Sequence, residues 1–204
     1  KKTYLGKQQN PEIVQRRKVV QKQTPMIRQI NQNLWVLDYP FTIWPVNFLP
    51  DGFLFDLINK INNKKMYSFV LKILNQLHFD YILFIDNDIY RSFYATTYLH
   101  PLVSIYYRRD NLVNPFWKKH AGRLEPLLCK QVHLIATNSI YLAEAVKIYN
   151  TNTYDIGQGV DISQFPANKI YPIPSDMTNF AHPIIGYTGL ITSKRLNADL
   201  LFEI

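Results

Sequence analysis

Residues 80–87 are Asp-Tyr-Ile-Leu-Phe-Ile-Asp-Asn, an uninterrupted apolar run with polar residues at both ends. A short run of this kind is typical of a strand that is buried on both faces of a sheet. Similar runs follow at Leu102 to Tyr107 and Val132 to Thr137, and a shorter strand is predicted at Tyr154 to Gly157. Because helical segments alternate with these strands, the sequence predicts an α/β fold with a Rossmann-like parallel sheet flanked by helices.

Helices are predicted from apolar spacing and from capping residues. Between Met66 and Leu77, apolar residues recur at helical spacing with lysines on the other face. Such a basic amphipathic helix can lie on a membrane, but packing on a sheet is commoner and is what we expect. A second helix is predicted around Arg123 to Lys130, where Glu125 suits the first turn. A third is predicted through Tyr149, with Ser139 as its N-cap.

The first 60 residues are the least regular part of the chain because prolines recur there. A short strand is predicted at Leu34 to Asp38, followed by an aromatic, proline-rich loop from Tyr39 to Phe55. We expect the aromatic side chains of this loop to fold back as a local core. Contact with a substrate or a membrane is the less favoured alternative.

Composition limits the class of protein but does not select a function. The 204-residue chain has a formal charge of +8, which suits nucleic acid, anionic lipid or phosphorylated substrates without choosing among them. A single cysteine, Cys129, cannot form an intrachain disulfide and fits a reducing compartment. No apolar run approaches the roughly 20 residues of a membrane span, and no leader opens the chain. We therefore expect a cytoplasmic protein.

Polar residues follow the predicted strands at four places, namely Asp86 to Asp88, Arg108 to Asp110, Asn138-Ser139 and Gly157 to Asp161. Ligands of parallel sheets bind beyond the carboxyl ends of the strands, so this edge is where we expect the site. In the second segment, an aspartate could hold or deprotonate a hydroxyl group, and an arginine could bind a phosphate. An Arg–Asp pair that only secures a strand end explains the same residues equally well.

A change of character after residue 166 predicts an interdomain connection. Four prolines lie between Pro166 and Pro183, and an apolar strand is predicted from Pro183 to Ile191. We expect one domain at residues 1–174, a linker at 175–183, and the first βα unit of a second domain at 184–204. A single βα unit cannot form a core, so the C-terminal domain is expected to be truncated relative to the natural gene.

Three blocks, in this order, resemble segments of GT-B glycosyltransferases. Leu134 to Leu142 is similar to a strand that ends in a serine before a helix. Gly157 to Phe165 contains Gly-Val-Asp-x-x-x-Phe, which resembles a family segment before the interdomain linker. Ile185 to Leu190 is similar to the first strand and glycine turn of the donor-binding domain. The resemblance covers residues 102–204 and is to retaining, family-4-like bacterial enzymes.

This resemblance implies an enzyme that transfers a sugar from a nucleoside-diphosphate sugar to a glycan or lipid-linked acceptor, in surface polysaccharide synthesis. The first domain would bind the acceptor and the second the donor, with no metal ion or other cofactor. The fragment alone would be inactive, because the family's donor-binding carboxylates lie beyond it. The implied site residues are Arg108, Arg109 and Asp110 on the acceptor side, Ser139, Gly157, Gly159 and Asp161 at the cleft or hinge, and Gly189, Lys194 and Arg195 at the donor diphosphate.

Three alternatives stay open at this point. Asp86 and Asp88 follow a strand as Asp-x-Asp, the pattern with which GT-A glycosyltransferases hold a divalent metal. A sugar-nucleotide epimerase could share the same scaffold. A non-enzymatic basic module could bind nucleic acid or membrane, although no nucleic-acid reader motif is present and no specific nucleic-acid partner is expected. Peripheral contact with the inner face of the membrane is compatible with the enzymatic hypothesis as well.

Overall fold

The computed structural model describes residues 10–77, 80–166, 168, 171–181, 183–184, 186–189, 196–197 and 199–200. The chain divides into two compact units, Lys1–Gly159 and Val160–Ile204. The predicted linker and donor-side segment fall within the second unit. The predicted strand from Pro183 to Ile191 includes residues outside the described part (185, 190 and 191), and its described residues form no strand.

Helices and strands alternate through most of the first unit. The helices are α1 Pro11–Val20, α2 Phe53–Leu77, α3 Ala95–Leu99, α4 Pro115–Gln131 and α5 Ile140–Lys147. The strands are β1 Ile27–Asn31, β2 Leu34–Leu37, β3 Ile82–Asp86, β4 Val103–Arg108, β5 Leu134–Thr137 and β6 Thr153–Asp155. In the second unit, the described residues include a 3₁₀ helix, Ile162–Gln164.

The predicted parallel sheet is confirmed. It contains four strands in the order β3-β4-β5-β6, and each neighbouring pair is parallel. The register places Ile85 beside Tyr106 and Tyr106 beside Ile135, so these three side chains share one face of the sheet. All three are buried in the core with residues of the flanking helices α4 and α5. The fold is thus α/β and compatible with a Rossmann-like arrangement.

The expectation that β3 is buried on both faces is wrong. Ile85 is buried, but Ile82 and Phe84, which alternate with it, are 62% and 55% exposed. The strand lies at the edge of the sheet, and its second face carries only partial cover from its neighbour, where the Phe84 and Tyr107 rings lie 5.6 Å apart. An apolar run therefore does not by itself distinguish a central strand from an edge strand.

The predicted helix around Arg123 to Lys130 begins earlier, at Pro115. Its start is fixed by Asn114, whose side chain accepts a hydrogen bond from Phe116 N at 2.9 Å, and by the proline at the first helical position. Glu125 consequently lies in the middle of α4 and not in its first turn. The predicted N-cap of the next helix is confirmed, because the Ser139 hydroxyl accepts from Leu142 N, but the helix ends at Lys147 and not at Tyr149.

The N-terminal region is more regular than its prolines predict. The strand predicted at Leu34 to Asp38 is found as β2, but its hairpin partner β1 and the helix α1 were not predicted. The rings of Tyr39, Phe41 and Phe69 pack at 5.5–6.0 Å, which confirms a local core for part of the aromatic loop. Phe55 is also buried, whereas Trp44, Phe48 and Phe53 are exposed. Among the described helices, none has the length and apolarity needed to cross a bilayer.

Candidate active site

An exposed ion-pair group joins the carboxyl ends of three strands. Arg109 follows β4, and its Nε lies 2.8 Å from Oδ1 of Asp86 at the end of β3 and 4.0 Å from Oδ2 of Asp110. Asn138, which follows β5, donates from Nδ2 to the Arg109 carbonyl at 2.9 Å. The structure therefore brings together Arg109 and Asp110, both predicted as site residues, with Asp86. All three charged side chains are accessible to a ligand.

Arg108, the remaining residue predicted at this site, lies elsewhere. Its side chain is 6% exposed, and its Nε lies 2.6 Å from Oε1 of Glu125 on α4. The Tyr106 hydroxyl donates to the same carboxylate oxygen at 3.0 Å, and Arg108 Nη1 reaches the Leu142 carbonyl of α5 at 3.5 Å. Burial opposes the charge on this guanidinium, yet the Glu125 carboxylate raises its pKa above the usual value. In this structure, the Arg108 side chain ties two helices to the sheet.

Asp86 and Asp88 pair with different arginines. The chain takes a left-handed conformation at Asn87, with φ of 53°, so the alternation of the strand ends there. Asp88 lies in the turn that follows β3, where its Oδ1 accepts a hydrogen bond from Arg91 N at 3.0 Å and its Oδ2 pairs with the Arg91 guanidinium. Among the described residues, no group of three or more His, Cys, Asp or Glu side chains is arranged to hold a metal ion.

A cleft of about 370 Å³ opens beside Asp88, which lies two residues after Asp86 in the sequence. Its walls come from four parts of the first unit: the loop before α2, α2 itself, the turn after β3 and the first turn of α4. Aromatic rings and amides dominate the lining, with one aspartate and one arginine. The lining includes Trp44, Asn47, Asn59, Asn62, Asp88, Tyr90, Arg91, Phe116 and Trp117.

Asn47, one of the lining residues, carries a buried polar atom without a partner among the described residues. Its Oδ1 is buried, and no described residue donates a hydrogen bond to it. Buried acceptors of this kind are rare because an unpaired polar atom loses its hydration without compensation. The sequence contains no pattern that marks this residue.

The loop that carries Trp44 and Asn47 is held by side chains of both adjacent helices. Asn62 of α2 accepts from Trp44 N at 3.1 Å and donates to Trp44 O at 2.8 Å. Lys119 of α4 donates to the Asn47 and Phe48 carbonyls, both at 3.0 Å. This wall of the cleft is therefore fixed before any ligand binds, which reduces the ordering cost of binding.

Asp51 closes the same loop onto α4. Arg123 Nη2 lies 2.7 Å and His120 Nδ1 3.0 Å from Asp51 Oδ1. The His120 ring is fully buried and stacks on Phe55 at 3.9 Å. The hydrogen bonds from Arg123 and His120 outweigh the smaller effect of burial and lower the pKa of Asp51 from 3.8 to about 2.

The Asp51 interaction leads to a pH-dependent prediction. A carboxylate with a lowered pKa stabilises the fold fully above its ordinary pKa, and this stabilisation is lost as the pH falls from 3.8 to about 2. Because the side chain is partly exposed, we expect Asp51→Asn to cost about 1 kcal/mol at neutral pH. The difference from the parent protein should shrink over that acid range. Urea unfolding followed by tryptophan fluorescence measures it, and an unchanged difference would contradict the assignment.

The residues predicted at the cleft or hinge of the first unit have local roles in this structure. Ser139 caps α5. Gly157 has φ of 67°, and its N–H donates to Asp155 Oδ1 at 2.9 Å in the turn after β6. A Cβ on Gly157 would meet no atom within 4 Å, so the backbone conformation is what requires glycine. Gly159 is exposed and does not have a positive φ.

The other predicted residues lie in the second unit. Asp161 caps the 3₁₀ helix, where Oδ1 accepts from Ser163 N at 3.0 Å, and the hydrogen bonds from Ser163 lower its pKa. Gly189 has φ of 154°, and a Cβ there would lie 2.6 Å from the Tyr187 hydroxyl oxygen. Lys194 and Arg195 are outside the described residues. The proposed donor diphosphate site therefore stays a prediction.

No family model, curated protein or solved structure matches the chain. The functional argument consequently depends on the residues of this chain and on their arrangement.

Proposed function

We propose that this chain is the acceptor-side part of a GT-B glycosyltransferase that transfers a sugar from a nucleoside-diphosphate sugar to a glycan or lipid-linked acceptor. The observation that supports it best is the exposed group of Arg109, Asp86 and Asp110 at the carboxyl edge of a parallel sheet. Ligands of such sheets bind at this edge. A process such as surface polysaccharide synthesis fits the proposal.

The strand-end group has the chemistry that an acceptor requires. In the proposed complex, Asp110 accepts a hydrogen bond from the attacking hydroxyl and takes its proton as the hydroxyl oxygen bonds to the anomeric carbon. The bond between that carbon and the diphosphate oxygen breaks in the same transfer, and the nucleoside diphosphate leaves with the electron pair. Arg109 binds an acceptor phosphate or orients Asp110. Both side chains are exposed and therefore reachable, whereas the buried Arg108 would act only by holding α4 and α5 in place.

The adjacent cleft suits a sugar ring of the acceptor. A pyranose has apolar C–H faces and a rim of hydroxyl groups, so it matches aromatic walls that carry a few polar groups. Trp44 and Trp117 supply ring surfaces, and Asp88 with Arg91 supplies a charged rim. The branch of the family that the sequence resembles retains the anomeric configuration, which would require the hydroxyl to attack from the face that the diphosphate leaves.

Donor binding belongs to the second unit in this proposal. Gly189 would allow the diphosphate to approach backbone amides, with Lys194 and Arg195 as its cationic partners. No resident metal or cofactor is required for these roles. The rival GT-A hypothesis needs Asp86 and Asp88 to share a divalent cation, although each carboxylate pairs with a different arginine in this structure.

Calorimetric titration of UDP, GDP and their common sugars tests the proposal and its rival. We would titrate this chain and the complete gene product, first with EDTA and then with manganese. Metal-independent binding by the complete product, with little or none by this chain, is the expected result. Manganese-dependent binding by this chain that is lost in Asp86→Ala or Asp88→Ala would overturn the proposal in favour of GT-A. Absence of binding to both proteins would also contradict it.

A further inference from the structure

Helix α2 exposes an apolar row to solvent. Phe53, Leu54, Leu57 and Ile61 are 81%, 48%, 43% and 50% exposed. Their spacing of three and four residues places them on one side of the helix, because an α-helix turns 100° per residue. Contiguous exposed apolar rows of this kind are uncommon on soluble proteins and mark surfaces that bind a partner or a membrane.

The opposite side of α2 is buried but rich in asparagine. Asn59, Asn62 and Asn63 are at most 5% exposed. Asn63 Nδ2 donates to the Asn59 and Tyr90 carbonyls at 2.8 and 3.1 Å, and its Oδ1 accepts from Tyr94 N at 3.2 Å. These bonds fix the rotation of the helix about its own axis. The apolar row therefore cannot turn inward without leaving buried polar groups unpaired.

Lysines continue the same exposed face. Lys64 lies within the angular range of the apolar row, Lys60 lies directly beside its edge, and Lys72 follows Lys64 by about two turns. All three are exposed. The only carboxylate of α2, Asp56, is paired with Arg123 of α4 at 2.8 Å. The outer face of α2 thus combines an apolar first half with a positive charge that no acid on the helix neutralises.

We infer that this outer face, formed by Phe53, Leu54, Leu57, Lys60, Ile61, Lys64 and Lys72, docks the protein onto an anionic lipid bilayer. The helix lies in the plane of the interface, its apolar row enters the boundary between headgroups and acyl chains, and its lysines bind lipid phosphates. The inference rests on α2 alone and does not require glycosyl transfer.

The combination of residues favours lipid over the other occupants of such a face. A second copy of the chain would bring two rows of lysines together, and like charges in contact oppose association. Nucleic acid would attract the lysines but gives no reason for a row of phenylalanine, leucine and isoleucine beside them. An anionic bilayer offers both an apolar layer and negative charge.

Co-sedimentation with lipid vesicles tests this inference. We expect the chain to bind vesicles of equal parts phosphatidylcholine and phosphatidylglycerol, to bind phosphatidylcholine alone much more weakly, and to be released in part by salt. The triple variant Phe53→Ser, Leu57→Ser, Ile61→Ser and the triple variant Lys60→Gln, Lys64→Gln, Lys72→Gln should each reduce binding at least about tenfold.

A matched control removes apolar surface elsewhere. Ile140→Ser, Tyr141→Ser and Ile148→Ser change three side chains on or next to α5 that are as exposed as those of α2. This control should bind like the parent, and circular dichroism should show all three variants folded. The inference is overturned if the parent does not bind, if the α5 variant loses binding equally, or if the α2 apolar variant still binds. It is also overturned if the α2 face instead mediates self-association or RNA binding without vesicles.

Discussion

Glu125→Ala is expected to lower the free energy of unfolding by about 3–5 kcal/mol, because it leaves the buried charge of Arg108 without its partner. The Glu125 carboxylate accepts from Arg108 Nε at 2.6 Å and Nη2 at 3.3 Å, and from the Tyr106 hydroxyl at 3.0 Å. Both charged side chains are nearly buried. Urea unfolding at neutral pH, followed by tryptophan fluorescence, gives the free energy.

Two comparisons distinguish the stability lost with the buried ion pair from the general effect of replacing a glutamate in a helix. Glu144→Ala alters an exposed glutamate of α5 and should change stability by less than about 0.5 kcal/mol. The double variant Arg108→Met with Glu125→Leu removes both charges and should recover much of the loss. If Glu125→Ala behaves like Glu144→Ala, Arg108 does not depend on this carboxylate.

Strands β3, β4 and β5 could be predicted because each is a compact apolar run, and their parallel order follows from the helices between them. The short β6, Thr153–Asp155, is not such a run, and it was predicted one residue late, at Tyr154 to Gly157. The start of α4 was missed because no apolar run marks it. Apolar spacing is weak near Pro115, and the start is marked only by the local Asn114-Pro115 cap. The exposed face of β3 could not be predicted either, since burial depends on which elements cover the sheet and not on the strand itself.

The separation of Arg108 from Arg109 shows what limits site prediction. The strand predicted to end at Tyr107 includes one more residue, Arg108. Side chains of consecutive strand residues point to opposite faces of the sheet. As the last residue of the strand, Arg108 therefore lies under the helices, whereas Arg109 lies at the open edge. A boundary error of a single residue, which sequence patterns cannot avoid, decides which arginine a ligand can reach.

The cleft is a different case because it is assembled from distant segments. Trp44 and Trp117 lie in distant segments of the chain, and they line the same cleft because side chains of α2 and α4 hold the loop that carries Trp44. The exposed aromatic residues before α2 indicated a contact surface as the less favoured alternative. Which rings face each other, and which amide stays unpaired among them, depends on tertiary structure.

Asp110→Asn in the complete gene product is expected to lower kcat/KM for sugar transfer by about 10²–10⁴-fold, the usual contribution of a general base. The substitution keeps the size of the side chain and its ability to hydrogen-bond, but it removes the basic oxygen. Arg109→Ala should raise KM for a phosphorylated acceptor more than it lowers kcat, since it would remove a binding contact. Initial rates with the nucleotide sugar identified by calorimetry measure both effects.

Asp80→Asn provides the control for this prediction, because Asp80 is an exposed aspartate that precedes β3 and so lies at the opposite, amino-terminal edge of the sheet. It should leave kcat/KM unchanged, and all three variants should unfold within about 0.5 kcal/mol of the parent, as exposed substitutions do. Unchanged activity in Asp110→Asn would contradict the role of base. A loss of stability in Asp110→Asn and Arg109→Ala without loss of activity would show instead that the Arg109–Asp110 pair secures the end of β4.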